Sequence, residues 1–196
     1  MSSLSDHLRK GAQILESRLI TQGLRTTLIW AYARGVARVS GIPIEKYSRI
    51  TPQIYVGAQH GPPGMEILAQ WGIRGTINLR SEFDDANYGL IQGEYCYIPT
   101  KDDNAPSLEE LARGVHFMDK ILQDGGKVYI HCAGGVGRAP TMAAAYLIYH
   151  GMDLSQAIAT IQATRPFIKL TPVQIERLTE WQRSQPAPDS RSSTPD

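Results

Sequence analysis

The chain has 196 residues, 42% of them hydrophobic, enough for one globular domain with a full core plus appendages. A net charge of +1 gives no global field that would point to nucleic acid as a partner. Two cysteines, Cys96 and Cys132, are too few for a disulfide framework, no apolar run is long enough for a transmembrane helix, and the N-terminus lacks a signal-peptide pattern. The setting expected from this is reducing and cytoplasmic.

Residues 1–46 read as a basic amphipathic helical extension. From Arg9 to Arg49 there are eight Lys or Arg against two acids, Glu16 and Glu45. Leu8, Ala12, Leu15 and Leu19 recur at helical spacing, and after Gly23 a second stripe follows with Leu28, Ile29, Tyr32, Val36 and Val39. Arg34 and Arg38 fall on the opposite side. The pattern predicts two helices, or one kinked at Gly23. Two placements are open: the stripes pack on the rest of the chain, or residues 8–39 make a peripheral contact with a membrane surface.

Residues 47–183 read as the main domain. Strands are expected at Gln53–Gly57, Gly75–Arg80, Glu94–Pro99 and Val128–Ile130, with a short helix from Met65 to Trp71. Ser107 and Glu110 form a capping box that opens a helix with Leu111, Val115, Met118 and Leu122 on one face. Further helices are expected after Arg138, over Leu154–Thr164, and from Thr171 as N-cap with Pro172 and Gln174 behind it. Strands separated by helices predict an α/β fold, with a mostly parallel mixed sheet of about 4–5 strands. Residues 184–196, rich in Ser, Pro, Asp and Arg, are expected to be a disordered tail.

Three polar stretches follow expected strand ends, after Arg80, Pro99 and Cys132, where open α/β sheets bind ligands. In the last of them His131-Cys132 ends the strand, Ala133-Gly134-Gly135-Val136-Gly137 makes a loop, and Arg138 starts a helix. A helix N-terminus offers unpaired N–H groups and a partial positive charge. Glycines let those groups turn inward around an anion. With Arg138 close by, the site favours a Cys132 thiolate, and a guanidinium fork can grip two phosphate oxygens. A thiolate beneath a phosphate cradle is placed for in-line attack on phosphorus. His131 is expected to hold the loop by a hydrogen bond rather than act as a base. Cys96, mid-strand between two tyrosines, is expected to be a buried structural residue. Glu82, Asp84 and Asp85 are expected to be solvated turn residues.

The span His131–Arg138 resembles the signature loop of the cysteine-dependent phosphatases, the protein tyrosine phosphatase superfamily. The order of parts resembles its dual-specificity branch, in which an acid lies on a loop about thirty residues upstream of the cysteine, as Asp102 does after Ile98-Pro99. Arg165-Pro166 also resembles that branch. The similarity runs from Tyr47 to Trp181. It implies a dual-specificity phosphatase-like domain working through a phosphocysteine, with Cys132 as nucleophile, Arg138 and residues 133–137 binding the phosphoryl group, and Asp102 as general acid. Asp103 is the rival acid. No cofactor or metal is implied. Most of the family carries Ser or Thr after the arginine, to stabilise the departing thiolate. Ala139 stands there instead, as in the plant glucan phosphatases, and Thr141 is the hydroxyl that could substitute.

The first expectation for function is a dual-specificity protein phosphatase. The second is the same chemistry on a lipid or glucan phosphate, because Leu111–Val115 and Met142–Ile148 are similar to the mitochondrial-type phosphatidylglycerophosphate phosphatases. A non-catalytic phospho-binding module is disfavoured, since both Cys132 and Arg138 are present. The partner is therefore a phosphorylated protein or phospholipid, and not nucleic acid.

Overall fold

The computed structural model describes residues 4–185. The expected tail beyond Gln185 lies outside the described residues. Helix α1, Leu4–Ser40, is broken at Gly23, whose φ of 77° and ψ of 168° are not helical. Strand β1 is Ile54–Ala58, followed by α2, Pro62–Gln70, and β2, Ile73–Arg80. Then come β3, Glu94–Thr100, α3, Leu108–Gln123, and β4, Lys127–Cys132. Three helices finish the described chain: α4, Arg138–Tyr149, α5, Leu154–Thr164, and α6, Pro172–Ser184.

The four strands form one sheet in the order β1-β4-β2-β3, and every pairing within it is parallel. All four strands therefore end on the same edge. The expected mixed character reduces to one isolated antiparallel bridge, Arg49 with Tyr55. Alternation along the strands divides the two faces. Ile54, Val56, Val128, Ile130 and Cys132 join the larger core with α3, α4, α5 and α6. Tyr55 and Tyr129 point the other way, to Leu68 and Trp71 around α2.

The helices begin where their caps require. Ser107, Asp153 and Thr171 each accept from the backbone three residues on and are reciprocated, so α3, α5 and α6 all open on full capping boxes. On α3, Leu111, Val115, Met118 and Ile121 are buried, each stabilising the fold by about 1.5–3 kcal/mol.

Helix α1 docks through Arg18 and Gln22 before its break and through Thr27, Ala33 and Ala37 after it, with Ile29 and Val36 of the expected stripe half-buried, so the first expected placement holds only in part. Arg18 Nη1 donates to the Phe167 carbonyl at 3.1 Å, and Gln22 Nε2 donates to Ile168 at 2.9 Å. Thr27, Ala33 and Ala37 are buried, whereas Leu15, Leu19, Leu28, Tyr32 and Val39 are exposed. The surface beneath the helix presents carbonyl groups, which the polar side of α1 satisfies and its leucines could not. Arg34, expected on the far side, is half-buried and lies against Gly134.

Candidate active site

The parallel edge gathers the three polar stretches. Cys132 ends β4, the central strand beside β1 and β2, and is buried. Its Sγ accepts from the Gly135 N–H at 3.2 Å. Gly135 has φ 62°, and a Cβ there would collide with Arg165 and the Gly57 carbonyl, so the turn requires glycine. Arg165, fully enclosed, fastens the loop from behind: Nε donates to the Gly135 carbonyl at 2.6 Å and Nη2 to Gly134 at 3.2 Å. Its third nitrogen donates to Tyr47 O at 2.6 Å. Burial lowers Arg165 to about 10, so it is still a cation at neutral pH. With its carbonyls drawn backward, the loop keeps its N–H groups for the front.

Arg138 is the first residue of α4 and 1% exposed. Nη1 donates to Thr100 O at 2.8 Å and to Leu79 O at 3.3 Å, tying the guanidinium to the ends of β3 and β2. Glu82 grips it with two bonds, 2.9 Å to Nη1 and 3.0 Å to Nη2. Burial alone would lower the Arg138 pKa; the hydrogen bond it donates to Glu82, the Cys132 charge and Asp102 outweigh it and raise it. Burial would raise Glu82, yet Arg138 and Arg80 hold its carboxyl at about 2. Nε of Arg138 has no hydrogen-bond partner among the described residues.

Asp102 Oδ1 lies 3.0 Å from Arg138 Nη2, and its side chain is 76% exposed. Asp103 is held in the left-handed region at φ 63° and lines a different cavity with Gln13, Arg18 and Lys169. The loop after β3 is anchored by α6: the Thr171 hydroxyl donates to Asp103 O at 2.8 Å, and Gln174 Nε2 donates to Asn104 O at 2.9 Å. The structure thus gathers Cys132, the 133–137 loop, Arg138 and Asp102, and turns Asp103 aside.

The turn after β2 departs from its expected solvated character. Glu82 is the Arg138 clamp, Asp84 accepts from the Tyr95 hydroxyl at 2.7 Å, and Asp85 is fully buried. The turn folds back over the strand ends, where Arg138, Tyr95 and His131 supply partners. His131 Nε2 meets Asp85 Oδ2 at 2.7 Å, so its ring is bound to this turn, beneath the loop rather than in it. Gln59 Nε2 donates to the other Asp85 oxygen at 2.8 Å. His60, Asp85 and His131 are also the described residues whose types and spacing could hold a metal ion; His131 Nε2 is paired with Asp85, while both His60 nitrogens and His131 Nδ1 have no hydrogen-bond partner among the described residues. Cys96 is buried, which raises its thiol pKa. The Thr141 hydroxyl donates to Gly137 O at 2.9 Å and is committed there rather than to Cys132.

This trio makes stability depend on pH. Burial, then the His131 charge, hold His60 at about 4 against the upward pull of Asp85. An unfolded histidine takes its proton at about 6.5, so between there and pH 4 the unfolded chain binds more protons. The contribution from neutral His60 is complete above pH 6.5 and lost as pH falls toward 4, about 3 kcal/mol over the full span. Asp85, raised by burial but lowered further by the hydrogen bond and charge of His131, adds a loss at still lower pH. Urea midpoints should be level from pH 8 to 7 and fall steadily between 6.5 and 4.5, with a shallower fall in His60→Gln. A midpoint indifferent to pH across that window would contradict this account.

A parallel α/β sheet that ends in a cysteine–glycine loop–arginine turn, with a carboxylate facing the arginine, defines a cysteine-dependent phosphatase. The chain belongs to the dual specificity phosphatase catalytic domain family, which it matches over residues 54–184. It is 28% identical to the human phosphatidylglycerophosphatase and protein-tyrosine phosphatase 1, over 92% of this chain and 94% of that protein. With the Arabidopsis thaliana phosphatidylglycerophosphate phosphatase PTPMT2 it shares 29%, over 71% of this chain and 64% of the relative. Among solved structures, PTPMT1 in complex with PI(5)P superposes with a TM-score of 0.64 at 30% identity, covering 69% of this chain and 93% of that one. Tk-PTP in its active form also gives 0.64, at 25% identity, covering 70% and 96%.

Proposed function

We propose that this phosphatase removes the phosphate monoester of a glycerophospholipid at a membrane surface, on which α1 lies. The observation that carries the reading is the outward row on α1: Ile20 is 77% exposed, Leu24 65%, Leu28 60% and Tyr32 60%. Leu24, Leu28 and Tyr32 follow one another at i, i+4 spacing after the break at Gly23, with Ile20 exposed just before it; such outward apolar side chains suit the headgroup–acyl boundary, and the basic residues of α1 suit anionic lipid. No described helix is long and apolar enough to cross a membrane, so the contact is peripheral. The relatives named for phosphatidylglycerophosphate support the same substrate class.

The mechanism follows from the site. The substrate phosphoryl group enters the 133–137 loop, where backbone N–H groups and the Nε–Nη2 edge of Arg138 receive its oxygens. In doing so it takes Nη2 from Asp102 and frees that carboxyl. Cys132 thiolate attacks phosphorus, the bond from phosphorus to the leaving oxygen breaks, and protonated Asp102 passes its proton to that oxygen. A water then attacks the phosphocysteine while Asp102 takes its proton. The P–S bond breaks, and phosphate and thiolate are released. His131 acts through Asp85 to fix the strand end that carries Cys132.

A second reading, a phosphoprotein substrate, draws support from relatives such as human dual specificity protein phosphatase 8, 26% identical over 79% of this chain and 26% of that protein. The test is kcat/KM on phosphatidylglycerophosphate in anionic vesicles against phosphotyrosine and phosphothreonine peptides. The lipid should be favoured at least tenfold. Leu24→Asp with Leu28→Asp should release the protein from vesicles in sedimentation while p-nitrophenyl phosphate is still cleaved. Turnover of peptides alone would overturn the lipid reading.

A further inference from the structure

The catalytic loop has a second cationic neighbour. Beside it lies a cavity of about 420 Å³, between α1 and the start of α2, lined by Arg34, Arg38, Arg80, Gln59, His60 and Ala133 among others. None of its lining residues is acidic. Arg80 is shared with Glu82, 2.9 Å away. Arg34 and Arg38 pair with no carboxylate among the described residues. Arg34 reaches the catalytic loop itself: a Cβ built on Gly134 would meet its Nη1.

Crowding arginines in this way is unfavourable without a counter-charge. Arg18 and Arg34 flank Trp30, with guanidinium carbons 4.3 Å and 5.9 Å from the ring centroid. Arg18 is lowered to about 10, first by burial and then by Arg34. The chain keeps a half-buried guanidinium near another cation, next to a loop whose own anion is already served by Arg138. A bound anion would relieve that repulsion, and the cavity's position fixes its relation to the reacting phosphoryl group.

We propose that the cavity lined by Arg34, Arg38 and Arg80 is a subsite for a second phosphate of the substrate: the phosphodiester of a lipid whose monoester occupies the 133–137 loop. The assignment rests on the lipid reading above and adds the requirement of two phosphates joined by a short linker. The helix that supplies Arg34 and Arg38 is the one that turns Leu28 and Tyr32 outward. A diester held by these arginines would therefore have its acyl chains directed past α1, toward the surface that α1 contacts.

The experiment uses the full chain and three soluble substrates: p-nitrophenyl phosphate, dihexanoyl phosphatidic acid, with one phosphate, and dihexanoyl phosphatidylglycerophosphate, with two. All are kept below aggregation, so membrane binding does not enter. Wild type should favour the two-phosphate lipid over phosphatidic acid. Arg38→Ala should raise its KM tenfold or more and shift the other two substrates less than threefold, and Arg34→Ala, which also removes a contact with the catalytic loop, should raise its KM at least tenfold more than that of the other two. Arg38→Lys should recover part of the loss, and Arg25→Ala, exposed on the same helix, should do nothing. Equal losses on all three substrates would mean that the arginines serve the catalytic loop, and would overturn the subsite. Hydrolysis of both lipids with no preference and no response to Arg34→Ala or Arg38→Ala would overturn the subsite and leave the lipid reading standing. Failure of wild type on both lipids, with p-nitrophenyl phosphate still cleaved, would overturn the lipid reading and this occupant with it. Inorganic phosphate separates a substrate-borne group from a free ion. Its inhibition of p-nitrophenyl phosphate hydrolysis should be unchanged in Arg38→Ala, and a weakened inhibition would overturn the substrate-borne assignment.

Discussion

Cys132→Ser is expected to abolish turnover, by about 10⁴-fold or more, and to leave substrate binding in place. The substitution changes one atom, so packing in the core that holds Cys132 is nearly conserved. A serine hydroxyl is a far weaker acid than a thiol and stays protonated at this site. The Gly135 N–H that reaches Sγ would reach the hydroxyl equally well, so the loop should keep its shape and still receive a phosphoryl group. Calorimetric titration with dihexanoyl phosphatidylglycerophosphate should give binding within about threefold of the KM of wild type. Rapid quench should trap a phosphoenzyme in wild type and none in the variant. Residual activity above a few per cent would sink the nucleophile assignment.

How much of this was legible in the sequence depended on distance along the chain. The loop from Cys132 to Arg138 was legible because strand, glycine turn and helix start are contiguous. Capping boxes at Ser107 and Thr171 are equally local, spanning three residues, and they fixed where α3 and α6 begin. Glu82 was not legible. Its partner Arg138 is 56 positions away, and nothing in Ser81–Asp85 distinguishes a clamp from a solvated turn. Asp85 was hidden in the same way, since His131 is 46 positions distant. A parallel sheet brings strand ends together whatever their separation in sequence, so the contacts that build the site are those a linear reading cannot see. Strand order is a related case: the pattern implied parallel strands, but not that β4 would insert between β1 and β2.

Helix α1 shows a different limit. Periodicity says which residues share a face, and Leu15, Leu19, Leu28 and Tyr32 do share exposure. It does not say which face turns inward. The usual rule sends the apolar stripe to the core, but the surface beneath α1 offers the carbonyls of Phe167 and Ile168, and buried carbonyls need donors. Arg18 and Gln22 meet that need, and the leucines are left facing outward.

Asp102→Ala should slow alkyl phosphates by about 10²–10⁴-fold and p-nitrophenyl phosphate far less. The asymmetry follows from the leaving groups. An alkoxide is strongly basic and needs a proton as its bond to phosphorus breaks, whereas p-nitrophenolate leaves unaided. Asp102 has the geometry for this task, because its carboxylate meets Arg138 Nη2 at 3.0 Å on a largely exposed side chain. It can exchange the guanidinium for a leaving oxygen without any movement of the core. Asp103 lacks that access: its backbone stands at φ 63°, its carbonyl accepts from the Thr171 hydroxyl, and the residue lines the cavity beside Lys169. Comparing kcat/KM for dihexanoyl phosphatidylglycerophosphate and p-nitrophenyl phosphate in Asp102→Ala and Asp103→Ala checks the assignment. The ratio of the two substrates should collapse only in the first. Losing the pair with Arg138 is a separate effect that touches both substrates alike. An equal loss on both would therefore assign Asp102 to holding the arginine rather than to proton transfer. A larger substrate-dependent loss in Asp103→Ala would move the acid by one residue and require the loop between β3 and α3 to rearrange on binding.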